Sequence, residues 1–284
     1  MKKLVFFNTK GGTGKTTFCF NYGYYLAARR KKKVLMMDFD PQANLTFSFG
    51  KAPSGSTGSN LDSLILNYLK GEKKKLKDYL LKITPNLHLL PCSNNISLIE
   101  EYITNHVVNK TNIESVKNPA AERNNILLNI LSEVVKPYEF DYVLIDSQPN
   151  FSLLSTTAIV FAENILIVLK PDLYSLIDME YLKKIIKNLN KKFSANVNIA
   201  GVIINAYEGR KKIAISTVKD IEEKYGKEVK IFNQKIKYLC QYQSSIFLKN
   251  EPVFNSFPKS EASDNMLSLF SEIDKELSFG RSSL

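Results

Sequence analysis

Apolar residues along this chain gather in short runs, separated by stretches with helical spacing. Leu4–Asn8 forms the first short strand, and Val34–Met37, Leu87–Leu90, Asp141–Ile145, Ile165–Leu169 and Val202–Ile204 repeat the pattern. Unbroken apolar runs, rather than alternating ones, suit parallel strands whose sheet is covered by helices on both faces. Between the runs, apolar positions fall three and four residues apart. Phe18, Tyr22, Tyr25 and Leu26 share one face of a helix predicted over Thr16–Arg30. Further helices are predicted over Ser97–His106, Ala121–Val135, Ser152–Ala162, Ile177–Lys191 and Ile215–Tyr225. A last one runs from about Ala262 to Leu277, with Met266, Leu269, Phe270, Ile273 and Leu277 on one face. The alternation predicts an α/β fold with a mostly parallel, twisted sheet. Two segments break the pattern. Ala52–Asn60 is a Gly/Ser/Pro loop, and Asn233–Pro258 carries scattered aromatics without a clear period, so both are predicted irregular.

At 284 residues the chain can bury one large core. We expect a single domain over residues 1–284, with its core from about 2 to 277 and no helix-turn-helix domain before the first strand. No apolar run approaches the roughly 18 residues of a membrane span. The apolar stretch in Met1–Asn8 is too short for a secretory leader, and Lys10-Gly11-Gly12 stands where a cleavage region would lie. We therefore expect a cytoplasmic protein. Cys19, Cys92 and Cys240 are far apart and match neither a disulfide framework nor a zinc site. The net charge of +11 favours polyanionic partners, although a Lys- and Asn-rich composition alone would also produce it.

The segment that carries chemistry is Lys10-Gly11-Gly12-Thr13-Gly14-Lys15-Thr16-Thr17, between the first strand and the first helix. Glycines let successive backbone N–H groups turn inward around phosphate oxygens, and the helix adds its positive end. Lys15 supplies a point charge to the β- and γ-phosphates, the Thr16 hydroxyl suits Mg²⁺, and Thr17 suits the α-phosphate. Thr9 stands where the common phosphate loop has its first glycine, and a lysine precedes Gly11 instead. Two acidic segments accompany the loop. Asp38-Phe39-Asp40-Pro41-Gln42-Ala43-Asn44 follows the second strand, at the strand end where open α/β sheets bind ligands. Asp146 ends the strand Tyr142–Ile145 and is placed to hold Mg²⁺ through water.

The K-G-G-x-G-K-[ST] form resembles the deviant Walker A loop of the ParA/MinD superfamily of P-loop ATPases. The resemblance spans Lys2 to about Leu277 and is strongest through Asn44 and around Asp146. It implies ATP and Mg²⁺ as ligands, slow hydrolysis and an ATP-dependent homodimer in which Lys10 reaches the partner's phosphates. The D-P-Q-x-N segment is similar to the ParA-branch switch, which implies that Asp40 positions the attacking water beside the metal, with Asp38 supporting it indirectly. Ser147 and Gln148 depart from the family's usual D-x-P-P. Gly201–Arg210 matches the family strand beside the base, so Asn205 either reads adenine or is a structural strand-end residue.

The ParA branch further implies non-specific DNA binding, nucleoid association and stimulation by a ParB-like centromere-binding activator. Candidate DNA contacts are Arg210, Lys211, Lys212, Lys235, Lys237 and Lys249. The branch's Ile-Pro-Arg run is missing, replaced by Lys235-Ile236-Lys237-Tyr238. Two other readings stay open: a positioning ATPase for another cargo, and a MinD-like membrane-cycling regulator. The acidic polar face of the last helix (Glu261, Asp264, Glu272, Asp274, Glu276) is unsuited to anionic lipid. A redox enzyme on this scaffold would need cysteines placed for an iron–sulfur cluster, and they are absent from such positions.

Overall fold

The computed structural model describes residues 1–52, 58–72, 75–110 and 119–279. Seven strands form one sheet: β1 (Lys2–Phe7), β2 (Val34–Phe39), β3 (Leu81–Thr84), β4 (Leu87–Leu90), β5 (Tyr142–Ser147), β6 (Asn164–Leu169) and β7 (Asn198–Ile204). Their order across the sheet is β3-β4-β2-β5-β1-β6-β7. Every neighbouring pair is parallel except β3 with β4. The helices are α1 (Lys15–Tyr24), α2 (Asn44–Ser48), α3 (Leu61–Leu69), α4 (Ile96–Lys110), α5 (Pro119–Val135), α6 (Leu153–Ala162), α7 (Ser175–Phe193), α8 (Lys212–Tyr225), α9 (Gln241–Lys249), α10 (Val253–Ser256) and α11 (Glu261–Phe279). Among the described residues, no helix is long and apolar enough to cross a membrane.

Because side chains alternate across a strand, each apolar run feeds two cores. Val5 and Phe7 of β1 face a cluster with Leu35, Met37, Ile96, Leu127, Leu154, Met179 and Ile221, which draws on α4 to α8. Leu4 and Phe6 face the opposite cluster with Phe18, Tyr22, Met36, Leu144, Ile246, Phe254 and Phe270, which draws on α1 and α9 to α11. The runs are therefore continuous because both faces are dry.

The expected strands and helices are all present, with ends shifted by a few residues. The helix predicted over Thr16–Arg30 is α-helical to Tyr24 and continues as a π-helical turn, Tyr25–Arg29. The expectation of irregular chain over Asn233–Pro258 needs correction, because α9 and α10 lie within it. Tyr242 and Ile246 of α9 are buried, but Phe247 and Leu248 beside them are about four-fifths exposed, at 79% and 80%. Apolar residues on both faces erased the period. Of the Ala52–Asn60 loop, residues 53–57 lie outside the described residues, while Asn60 caps α3 by accepting from Ser63 N at 2.8 Å.

The chain after β7 closes back on the sheet: Val202 N donates to Lys230 O, and Val202 O accepts from Phe232 N. A Cβ at Gly201 would lie 2.5 Å from the Phe232 ring, which is fully buried. We expect Gly201→Ala to destabilise the fold by about 1–3 kcal/mol, the usual range for overpacking a tight core. An unchanged denaturation midpoint would show that Phe232 yields freely.

Candidate functional site

The carboxyl ends of β1, β2, β5, β6 and β7 meet at one edge of the sheet, and the glycine loop sits at its centre. Gly12 (φ 67°) and Gly14 (φ 102°) adopt the left-handed backbone that other residues resist. A Cβ on Gly11 or Gly12 would meet nothing within 4 Å, so the loop's inner surface is open. Gly14 is crowded instead: a Cβ there would lie 2.5 Å from Asn205 Nδ2.

Two amides pin the loop's two legs to neighbouring strands. On the entry side, Asn8 Nδ2 donates to Val168 O of β6 at 2.7 Å, and Asn8 Oδ1 accepts from Lys10 N at 3.0 Å. On the exit side, Asn205 Nδ2 donates to Thr13 O at 2.6 Å. Asn205 thus holds the loop in this structure. Asn8 was not foreseen as a site residue; its signal was a buried polar side chain closing an apolar strand.

The carboxylates lie on the next two strands, Asp146 on β5 beside β1 and Asp38 on β2 beyond it. Asp38 and Asp146 are register partners on β2 and β5, and both are fully buried. Asp38 accepts from Thr46 Oγ1 (2.7 Å), Thr46 N (2.8 Å) and Asp40 N (3.1 Å), so it ties α2 to the segment carrying Asp40. Burial pushes its pKa up to about 6, against those hydrogen bonds. Cys92, just after β4, donates from Sγ to Asp40 O at 3.0 Å and from its N–H to Thr46 Oγ1 at 3.2 Å. Asp40 Oδ1 accepts from Gln42 N at 2.9 Å.

Asp146 Oδ2 accepts from the Thr16 hydroxyl at 2.6 Å, while its Oδ1 is buried without a hydrogen-bond partner among the described residues. Burial, reinforced by Asp38, pushes its pKa well above the carboxylate range. Thr13 Oγ1, on the loop, is likewise buried and has no partner among the described residues. An orphaned carboxylate oxygen beside a threonine hydroxyl is a hard oxygen donor set, and these residues fit Mg²⁺. Thr17 follows in the first turn of α1, where its carbonyl accepts from Asn21 Nδ2 at 2.8 Å.

The two loop lysines point differently. Lys15 is buried, and its Nζ folds onto Lys10 O at 3.1 Å. Burial lowers its pKa, opposed by Asp146 and then Asp40. Lys10 turns to its own chain, 2.9 Å from Asp172 and 2.7 Å from Asp178, with Nζ 5.4 Å from the centre of the Tyr174 ring. Its pKa is raised: burial opposes, but the bonds to Asp178 and Asp172 outweigh it.

The sequence-predicted DNA contacts do not join this edge as free cations. Lys211 pairs with Glu208 (2.7 Å), Lys235 with Glu222 (2.8 Å) and Lys237 with Glu261 (2.5 Å). Lys249 donates to Ser256 O at 3.3 Å. Arg210 and Lys212 are exposed and lie in no ion pair among the described residues.

An open glycine cradle on the central strand of a parallel sheet, backed by a buried carboxylate bonded to the loop threonine, defines a P-loop nucleotide-binding protein. Residues 1–199 match a family model described as an AAA domain. A virulence plasmid ParA family protein of Chlamydia psittaci is 28% identical over 278 residues, 98% of this chain and 96% of that protein. The chromosome-partitioning ATPase Soj of Treponema pallidum is 32% identical over 234 residues, 82% of this chain and 81% of the relative. A solved ATP complex of a Cyanothece McdA variant has a TM-score of 0.78 at 22% identity, covering 100% of this chain and 99% of that one. The chain belongs to the AAA-domain family, among the ParA/Soj partition ATPases.

With one Asp146 oxygen buried and without a partner among the described residues, this carboxylate costs the fold stability. Asp146→Asn keeps an acceptor for Thr16 and removes a buried charge. We expect that variant, without nucleotide, to melt no lower than the parent while losing nucleotide affinity in Mg²⁺. A melting midpoint several degrees lower would mean that the carboxylate stabilises the fold.

Proposed function

We propose that the protein is an ATP-driven positioning switch for DNA segregation, working as one ATPase domain. The observation that carries this reading is the placement of Lys10. A cation that belongs to the phosphate loop is held beside it by Asp172 and Asp178 of the same chain. Such a lysine can exchange those carboxylates for the phosphates of a nucleotide held by a second copy, which makes dimerisation depend on ATP.

Each residue then has a task. The backbone N–H groups of Gly11 to Thr17 and the start of α1 bind the phosphate chain, and Lys15 neutralises it. Thr16 and Asp146 hold Mg²⁺, with Asp40 nearby, and the ion when bound offsets the charge that develops on the phosphates. Asp40 orients the attacking water and relays its proton; its second carboxylate oxygen makes no hydrogen bond among the described residues. Asp38, Thr46 and Cys92 keep Asp40 in position. Asn205 keeps the loop shaped, and its place at the end of β7 also suits an adenine edge. Hydrolysis to ADP and phosphate removes the group that Lys10 bridges to, and the dimer opens.

In this reading the ATP dimer binds DNA without sequence preference, and a ParB-like centromere-bound partner stimulates hydrolysis. The protein would then sit on the nucleoid in the cytoplasm. The last helix supports DNA over a membrane. Two of its carboxylates are structural acceptors: Asp274 from Tyr22, Tyr25 and Arg30, Glu272 from Asn233 N and Gln234 N. A helix so committed is unavailable to lie on lipid.

The decisive measurement is duplex binding by Asp40→Ala, with no nucleotide, with ADP and with ATP, at low and moderate salt. We expect binding only with ATP, indifferent to sequence and falling steeply with salt. An ATP dimer that binds no DNA in any condition would retain the switch and reject the DNA reading. A second variant tests the lysine. Asp178→Asn weakens the hold on Lys10, so dimerisation should need several-fold less ATP by sizing or light scattering. An unchanged requirement would mean that the ion pair does not gate the dimer.

A further inference from the structure

The amino ends of the strands form the edge opposite the nucleotide loop, and three grooves lie side by side along it. One is bounded by Lys33, Lys77 and Lys82 under β2 to β5, with a volume of about 470 Å³. The next is bounded by Arg30, Lys32 and Lys275 between α1 and α11, at about 340 Å³. The third includes Lys2 below β1, β6 and β7. The ridge between the first two is the turn that ends the α1 rod, Arg29-Arg30-Lys31-Lys32-Lys33, five consecutive exposed cations. Together the grooves are lined by seven Lys or Arg side chains and three carboxylates, so the edge is strongly positive.

Several cations here are also freer than Lys211, Lys235 and Lys237, three of those foreseen from the sequence. Lys32, Lys77, Lys82 and Lys275 are exposed and lie in no ion pair among the described residues. The Lys33 pair with Glu139 spans 3.9 Å between two exposed side chains, where solvent screens it to little net energy. Of the three carboxylates, Asp274 is already committed to Arg30, Tyr22 and Tyr25. By contrast, Lys211, Lys235 and Lys237 would have to leave a glutamate that repels any incoming phosphate.

We infer that this amino-terminal edge of the sheet, built around Arg29–Lys33 with Lys77, Lys82 and Lys275, is a binding surface for the backbone of duplex DNA. The inference rests on the DNA reading above and adds where the duplex lies. Strands spaced about 4.8 Å apart make the edge from β4 to β7 about 24 Å long. That length matches about fourteen phosphate charges of a duplex, at one per about 1.7 Å. The grooves are rimmed by cations, and none of the exposed large apolar side chains lines them, which suits a phosphate backbone rather than acyl chains. In a dimer closed over two nucleotides, the two edges lie at opposite poles. One edge therefore binds a duplex weakly by itself, and the dimer gains by holding two segments at once.

The test compares three proteins on long duplex DNA with ATP: the parent, a Lys32→Gln/Lys77→Gln/Lys82→Gln triple variant, and an Arg210→Gln/Lys212→Gln variant. Melting midpoints check that each is folded, and Lys275→Gln, made separately, serves should the triple variant fail that check. We expect the triple variant to bind at least about 10-fold more weakly at moderate salt. The slope of log affinity against log salt should flatten by about 2 to 3, near 0.9 for each lost phosphate contact. Parent-like binding by the triple variant, with loss in the Arg210/Lys212 variant, overturns this surface and leaves the DNA reading standing. Absence of duplex binding by the parent in every nucleotide state overturns both. Parent binding to phosphatidylserine vesicles, lost in the triple variant, with no duplex binding, assigns the edge to lipid and rejects DNA.

Discussion

Two carboxylates buried side by side, Asp38 and Asp146, are the constraint on which the rest of the site depends. Adjacent parallel strands bring them into register, and burial disfavours charge on both. The structure resolves the two cases differently. Asp38 is surrounded by donors from Thr46 and Asp40, and so it becomes a knot that shapes the segment after β2. Asp146 receives a single donor and keeps one oxygen unanswered. The first is an internal fastening, and the second is a buried carboxylate whose charge a hard cation would offset. Local instability at a site of this kind is an expected companion of function.

The fold was legible because both sheet faces are dry. Continuous apolar runs announced parallel strands, and the helices between them kept their period over ten residues or more. Legibility failed where elements are short or apolar on both sides. α9 hid its period behind exposed Phe247 and Leu248, and β3, the edge strand, has only four residues, three half-buried and Lys82 exposed. The glycine loop, Asp40 and Asp146 could be read from residue type and spacing. Asn8, Thr46, Cys92, Asp172 and Asp178 could not. Each acts through a contact between segments distant in the chain, and nothing local in the sequence marks such a contact. The charged candidates illustrate the same limit. Lys235 and Lys237 looked like free cations until the fold brought Glu222 and Glu261 against them.

The edges of the sheet divide the work by charge. The carboxyl edge gathers Asp38, Asp40, Asp146, Asp172 and Asp178 around two lysines, a mixture suited to handling a charged ligand that must later leave. The amino edge is basic, and the most buried carboxylate in its grooves, Asp274, is tied up by Tyr22, Tyr25 and Arg30. α1 with its π-helical turn spans the two, about 22 Å at about 1.5 Å per residue, beginning in the glycine loop and ending in the cationic turn. Tyr22, Tyr25 and Arg30 near its far end all bond Asp274 of α11, so the rod is braced where it leaves the core.

The paired amides on the glycine loop have a consequence for how the protein can change over generations. Asn8 hangs the loop from β6, and Asn205 hangs it from the end of β7. The crown of the nucleotide site is thus suspended from strands that contribute little else to it. A slip in the pairing of β7, or an insertion before Asn205, would lift one support without touching a single phosphate-binding residue. Strands that look like plain scaffold therefore share the functional constraint. Drift in this lineage should be freest in the helices outside them, where a change of length alters no anchor of the loop.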